Sequence, residues 1–334
     1  MQLRGCGVGG VDRPGSGGDD YTSVMIVTLP DQRLLDALTA HTPAEQLGVE
    51  LRIWDWNSPV RNVLGDEADD VVAAVIPYFR AAPEWRSLAD LPRLRLVQAQ
   101  SAGYDNLLHI VPDGVALANA RGVHEASTAE LAVGLMLAAQ RELPRWSRER
   151  RWQSASTRAL ADSRVLIVGT GAIGEAIRAR LAPFEVEITR VATTARDDEY
   201  GHIHGIDELP QLLPHADIVV LIVPLTDATR GLIGARELAL MPDDALLVNM
   251  ARGPVVDTDA ITAEVTSGRL RMASDVFDPE PLPDDHPLWQ ADNAFISPHI
   301  GGNTTAMLPR MVALLADQLP RLADGREFIF VVKS

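Results

Sequence analysis

The chain predicts an α/β fold in two domains, each built on a mainly parallel sheet. Three observations lead there. Short β-branched runs alternate with helix-forming stretches along nearly its whole length, as in βαβ units whose sheet is covered on both faces. A chain of 334 residues suits two domains of about 150 residues each. A Gly-rich turn, Gly169-Thr-Gly-Ala-Ile-Gly174, joins a strand pattern directly to a helix pattern, which is how a doubly wound sheet begins.

Taken in order, residues 1–23 are rich in Gly and polar groups and are expected to be a flexible leader with no part in the fold. The first strand is expected at 24–28, closed by Pro30, and a helix at 32–42. Apolar runs at 49–53, 71–76, 94–98 and 115–119 supply the remaining strands of the first series. Ser127 followed by Glu130 is a capping-box pattern, so a long helix is expected over 129–140 as a bridge to the second series. That series spans Arg164 to about Ile296, with strands at 165–168, 186–191, 218–221, 245–249 and 272–274. An amphipathic helix over 304–323, able to dock back on the first domain, and a strand-like tail at 328–332 end the chain.

Composition narrows the function classes. Thirty basic against 46 acidic residues give a net charge of −16, so polyanionic nucleic acids and anionic membranes would be repelled. A single cysteine, Cys6, allows neither a disulfide framework nor a cysteine-based metal cluster. No apolar run approaches the ~18 residues of a membrane span, and the leader has no signal-peptide pattern. A soluble, cytoplasmic protein is expected.

The Gly-rich turn follows four apolar strand residues, Val165-Leu-Ile-Val168, and opens a helix pattern, the context that makes such a motif a dinucleotide site. Gly169 permits the tight turn, Gly171 lets the backbone approach a pyrophosphate, and Gly174 allows close helix–strand contact. The helix start at Ala172 and Ile173 offers unpaired N–H groups and a positive dipole end to the phosphates. About 20 residues on, an acid normally holds the ribose 2′-hydroxyl of NAD. Strand parity puts Ala192 there, with Thr193, Thr194, Arg190 and Arg196 nearby. Arginine and hydroxyls suit a 2′-phosphate and an acid would repel it, so NAD(P) binding with NADP preferred over NAD is expected.

Three further stretches fall at or just after predicted strands: Asn249 to Asp257, Asp275 to Pro281, and Ser297-Pro-His-Ile-Gly-Gly302. Singly, Arg252 reads as a phosphate ligand or helix cap, Glu280 as a solvated loop acid and His299 as a loop histidine. Arriving in that order behind the Gly-rich turn, they form a constellation. With the turn, Val223-Pro-Leu-Thr226 and Thr229, and Ser101-Ala-Gly-Tyr-Asp-Asn106, they resemble the D-isomer-specific 2-hydroxyacid dehydrogenase family over about Val24 to Ala323.

The resemblance implies a Rossmann-type doubly wound cofactor domain, 123–303, inserted into a smaller flavodoxin-like α/β substrate domain, 24–122 plus 304–334, with the active site in the cleft. It implies His299 as general acid–base, Glu280 as the partner that orients it and stabilises its imidazolium, and Arg252 as the guanidinium on the substrate carboxylate. It further implies that Ser101, Ala102, Gly103 and Tyr78 line the substrate, and that Pro224, Thr229, Met250, Asp275 and Gly301 join the Gly-rich turn, Thr193 and Arg196 around the cofactor. Asp275 would accept the nicotinamide carboxamide N–H. A homodimer is also implied.

Tyr78-Phe79-Arg80 favours a compact, partly apolar pocket. An Arg-Ser pair typical of phosphorylated substrates is absent, and Glu280 stands where formate dehydrogenases of this fold carry Gln. Small 2-oxo acids such as glyoxylate, hydroxypyruvate or pyruvate, reduced to the D-2-hydroxy acid, are the expected substrates. The alternatives are phosphite oxidation and a non-enzymatic nucleotide-sensing module resembling the C-terminal binding protein co-repressors. Trp289 is expected over the cleft or in the core, and His124 at a hinge or the surface. His202 and His204, with no carboxylate at suitable spacing, are expected in a solvated turn without metal.

Overall fold

The computed structural model describes residues 24–78 and 83–334. The expected leader, with Cys6, and the pocket candidates Phe79 and Arg80 lie outside the described residues. Fourteen strands fall into two sheets among the described residues. The first holds β1 (Ile26–Leu29), β2 (Glu50–Ile53), β3 (Val71–Val75), β4 (Leu96–Gln98) and β5 (Ala116–Ala118). The second holds β6 (Arg164–Val168), β7 (Glu187–Ala192), β8 (Arg196–Asp198), β9 (Gly201–Gly205), β10 (Ile218–Leu221), β11 (Leu246–Asn249), β12 (Arg271–Ser274) and β13 (Ala294–Ile296). The last strand, β14 (Val331–Lys333), returns to the first sheet.

In the first sheet the order is β14-β5-β4-β3-β1-β2, parallel except for β14. Its parallel part has the 2-1-3-4-5 order of flavodoxin-like sheets. Both faces are buried, as the near-continuous apolar runs require. Val27 and Leu29 face the C-terminal helix Met307–Ala323, which contributes Met311, Leu315 and Leu319 to a shared core. Ile26, Val71 and Ala74 face the opposite way, onto Trp54, Trp56 and Leu88. The terminal helix therefore does dock back, and buried Gln318 donates to the side chain of Gln98 in β4 at 3.0 Å.

The second sheet runs β13-β12-β11-β10-β6-β7-β9-β8. Leaving out the antiparallel edge strand β8, this is the 3-2-1-4-5-6 order of a Rossmann sheet with one strand added. Its strand order reverses between β6 and β10, and in such sheets ligands bind in the crevice beyond the strand C-termini at that point. Val165 and Ile167 face the long helix Glu125–Gln140, while Leu166 and Val168 face the helices of the other side.

Several boundaries differ from the sequence expectation for identifiable reasons. The long helix starts at Glu125, two residues before the expected capping box. Ser127 lies within that helix and its hydroxyl meets Thr304 Oγ1 at 2.7 Å, so tertiary contact replaces the cap. The Glu125 carboxylate instead accepts from the amide of Gly122 at 2.5 Å. Residues 202–204 are in β9 of an edge hairpin with β8, because Arg190 beneath it is buried against Asp198 and Glu175. The terminal strand is displaced to 331–333, and the terminal helix begins at Met307.

Candidate active site

Tyr78, Ser101, Arg252, Asp275 and His299 each follow the C-terminal end of a strand. Gly169 directly follows β6. Its φ of +117° is a conformation for glycine, and a Cβ there would collide with the carbonyl of Ile222, just past β10. The turn thus sits on the reversal point. A Cβ at Gly174 would strike the Gly169 carbonyl, whereas one at Gly171 would meet nothing within 4 Å. That leaves open space before the helix Ala172–Leu181, whose first amides, at Ala172 and Ile173, have no partner within the helix. The donor set and the missing Cβ fit a dinucleotide pyrophosphate.

Ala192 ends β7 and pairs with Gly205 of β9. Thr193 is exposed beyond it. The guanidinium of Arg196 lies across the Gly-rich turn, its Nη2 donating to Thr170 Oγ1 at 2.7 Å. Arg190, by contrast, is 3 % exposed and donates to both carboxylate oxygens of Asp198 at 2.6 Å. It belongs to the sheet and not to the 2′ position. Pro224 and Thr229 form one turn, the Thr229 hydroxyl donating to the Pro224 carbonyl at 2.6 Å.

Three loops at the ends of β11, β12 and β13 pack on one another. Arg252 follows β11, where Asn249 braces the turn by accepting from the amide of Ala251 and donating to the Arg252 carbonyl. Any side chain at Gly253 would collide with the Phe277 carbonyl, so this turn lies against the loop that carries Glu280. Asp275, after β12, is 4 % exposed. Its carboxylate accepts from Ser297 Oγ at 2.5 Å, the Ile300 amide at 2.9 Å and the Gly301 amide at 2.8 Å. Gly301 itself is buried beside Met250. The acid therefore clamps the loop on either side of His299.

His299 has φ +52°, in the left-handed region that non-glycine residues rarely occupy. Such strain persists where surroundings enforce it, and here the enforcement is the Asp275 clamp. The Nδ1 of His299 lies 2.5 Å from Glu280 Oε1, with both residues partly open to solvent. An imidazole held at Nδ1 by a carboxylate is oriented for proton transfer at Nε2.

The first sheet supplies the opposing wall. After β4, the Ser101 hydroxyl donates to the Gly103 carbonyl at 2.7 Å, and Asn119 donates to the Ala102 carbonyl at 2.8 Å. The Arg252 guanidinium lies so close to Gly103 that any Cβ there would overlap its Nη2. Its Nε donates to Asp105 Oδ1 at 3.3 Å and its Nη1 to the Ala251 carbonyl at 2.9 Å. Asp105 lies within the loop motif but was not among the expected site residues, because its pairing across the sheets depends on the fold. Tyr78, after β3, has its hydroxyl pushed up to about 12 by burial first and by the negative charge of Asp275 second, with Arg252 opposing. Its ring stacks on His124, and its hydroxyl lies 2.5 Å from where a Cβ at Gly302 would stand.

Three other expectations are corrected. His124 is 3 % exposed, not at the surface: Nε2 is 2.6 Å from the Gln100 carbonyl and Nδ1 3.2 Å from that of Gly302. Trp289 is 44 % exposed and donates to the Pro283 carbonyl, so it is not core. Carboxylates do flank the His202–His204 pair, Asp197 and Glu208 each 2.8 Å from an Nδ1. One ligand atom each from His202, His204 and Glu208 lie within 4.8 Å of one another, a set able to hold a metal ion. Among the described residues no helix is long and apolar enough to cross a membrane.

The chain is similar in sequence and fold to known proteins. Residues 133–301 match the family described as D-isomer specific 2-hydroxyacid dehydrogenase, NAD binding domain. A glyoxylate reductase of Korarchaeum cryptofilum is 32 % identical over 291 residues, 83 % of this chain and 87 % of that protein. A glyoxylate/hydroxypyruvate reductase A of Arabidopsis thaliana is 30 % identical over 285 residues, covering 82 % of this chain and 90 % of that protein. The crystal structure of a D-isomer specific 2-hydroxyacid dehydrogenase from Xanthobacter autotrophicus Py2, in complex with NADPH and MES, superposes with a TM-score of 0.79 at 30 % identity. It covers 93 % of this chain and 98 % of that one.

Proposed function

Because this chain belongs to the D-isomer specific 2-hydroxyacid dehydrogenase family, and is an NAD(P)-dependent oxidoreductase acting on CH–OH groups, we propose that it reduces a small 2-oxo acid. The substrate is of glyoxylate, hydroxypyruvate or pyruvate type, the product the D-2-hydroxy acid, and NADPH is favoured over NADH. The observation that carries this reading is the His299–Glu280 pair at 2.5 Å, on the same strand edge as Arg252.

When bound, NADPH supplies a hydride to the carbonyl carbon. Everything else falls to the chain. Gly169, Gly171 and Gly174, with the amides of Ala172 and Ile173, hold the pyrophosphate; Thr193 and Arg196 take the 2′-phosphate end. Pro224, Thr229, Met250, Asp275 and Gly301 wall the nicotinamide end, Asp275 accepting a carboxamide N–H. Arg252 pairs with the substrate carboxylate and polarises the carbonyl, its fork oriented by Asp105. The backbone at Ala102 and Gly103 takes the other side of that carboxylate, and Ser101 and Tyr78 close the pocket. His299 then gives its Nε2 proton to the carbonyl oxygen as that oxygen becomes a hydroxyl, while Glu280 balances the imidazolium. A substrate pinned at two points presents one face, which gives one product configuration.

In this reading the first sheet belongs to a substrate domain, 24–122 plus 304–334, and the second to a cofactor domain, 123–303. The enzyme works as a homodimer, supported by exposed Leu143 and wholly exposed Trp152 in the segment after the bridging helix. The test is NADPH and NADH oxidation followed by absorbance with glyoxylate, hydroxypyruvate and pyruvate, and cofactor reduction with phosphite. Turnover of at least one acid, with higher kcat/KM for NADPH, is expected. Cofactor binding without turnover of any acid would overturn the reading, as would oxidation of phosphite alone.

A further inference from the structure

His124 has no part in the reaction described above, yet it is the one buried histidine among the described residues. It immediately precedes the long helix Glu125–Gln140, and it is buried. Its two ring nitrogens face two backbone carbonyls from opposite walls of the cleft. Nε2 is 2.6 Å from the oxygen of Gln100, the residue directly before the Ser101-Ala102-Gly103 loop. Nδ1 is 3.2 Å from the oxygen of Gly302, three residues after His299. The ring stacks on Tyr78, with centroids 5.1 Å apart and planes 14° from parallel. Gly302 fits only without a side chain: a Cβ would lie 2.5 Å from the Tyr78 hydroxyl and 2.6 Å from Nδ1 of His124.

We infer that His124 is a positioning residue: one buried ring that sets the spacing between the loop receiving the substrate carboxylate and the loop carrying the proton donor. The inference rests on the proposed reduction for its functional meaning, but not for its geometry. The His299 loop is fixed to the second sheet by Asp275, and the Ser101–Gly103 loop to the first by Asn119. Neither clamp relates one loop to the other. His124 does: its ring nitrogens lie 2.6 Å from the carbonyl oxygen of Gln100 and 3.2 Å from that of Gly302, and the nitrogen that carries the proton donates to the carbonyl it faces. Mispositioning by an ångström is enough to slow a reaction whose proton donor and substrate anchor sit on separate elements. Its sequence neighbourhood, Val123-His-Glu125, carries no recognisable signal, because the two acceptors are backbone carbonyls distant in the chain.

Three variants separate this from a packing role. H124F keeps the aromatic stack on Tyr78 and removes both ring nitrogens. H124N places an amide near the Nδ1 position, toward Gly302, and H124Q places one near Nε2, toward Gln100. The expected result is a kcat about tenfold or more lower in H124F, with the NADPH Kd unchanged because the Gly-rich turn is elsewhere, and intermediate kcat in H124N and H124Q. Hydrogen exchange gives a readout independent of turnover: the Ile300 and Gly301 amides should exchange roughly tenfold faster in H124F, and more slowly again in H124N. Wild-type kcat and exchange in H124F would overturn the inference. So would a joint loss of kcat, NADPH affinity and Tm that neither amide variant relieves. If the wild-type protein reduces no 2-oxo acid, the proposed function fails, and the exchange comparison still decides whether His124 ties the loops.

Discussion

Arg252 shows how much one side chain can be asked to do. Three of its contacts are already set: Asp105 on Nε, the Ala251 carbonyl on Nη1 and the Gly103 backbone against Nη2. A guanidinium held this way is a preorganised fork, and a single charge-assisted pair is worth about 1.5–3 kcal/mol. R252A should therefore raise KM and lower kcat together, reducing kcat/KM by roughly ten- to a hundredfold, and R252K should not restore it, since an ammonium cannot reproduce the fork. Steady-state kinetics of both variants check this; recovery in R252K would show that charge alone matters. The candidates for this chemistry, Arg252, Glu280 and His299, were readable because each follows a strand end in a distinctive motif. Asp105 and His124 were not, because Asp105 pairs with a residue 147 positions away and His124 bridges carbonyls 24 and 178 positions away in the chain.

At the scale of elements, the β8–β9 hairpin is the least legible part of the second sheet. Arg196-Asp-Asp198 is too short and too polar to read as a strand. What holds it is buried Arg190, whose guanidinium keeps the Asp198 carboxyl down at about 2 from an ordinary 3.8, chiefly through its hydrogen bonds. A carboxyl depressed in the folded protein stabilises it fully above 3.8, and that contribution is lost as pH falls toward 2. Asp217 beside Arg164 and Glu208 beside His204 are lowered in the same direction. D198N should thus unfold at lower temperature than wild type at neutral pH, and its Tm should fall less steeply across that acid window. Parallel Tm-against-pH curves for the two proteins would contradict the assignment. The other parallel strands except β13, which no expected strand covered, were readable to within one or two residues, because buried parallel strands are unbroken apolar runs, while the tail strand β14 starts three residues later than expected. The start of the bridging helix was misread because Ser127 makes a tertiary hydrogen bond where a local cap was expected.

For the molecule as a whole, two sheets of different strand order place their C-terminal edges toward one another through contacts such as Arg252 with Asp105 and His124 with Gln100 and Gly302. The alternation of strands and helices made the fold class and the two sheets legible, and the resemblance made the return of the chain end to the first sheet an expectation. What no local pattern carries is which loop meets which across the cleft, since that depends on how the sheets pack. In the proposed reaction, His299 delivers the proton to a 2-oxo acid carbonyl. The most direct test is single-turnover and steady-state kinetics of H299Q alongside its NADPH Kd. If His299 is the proton donor, kcat falls by about 10²–10⁴-fold while the Kd stays within about twofold of wild type. A kcat within a few fold of wild type, at unchanged Kd, would contradict it.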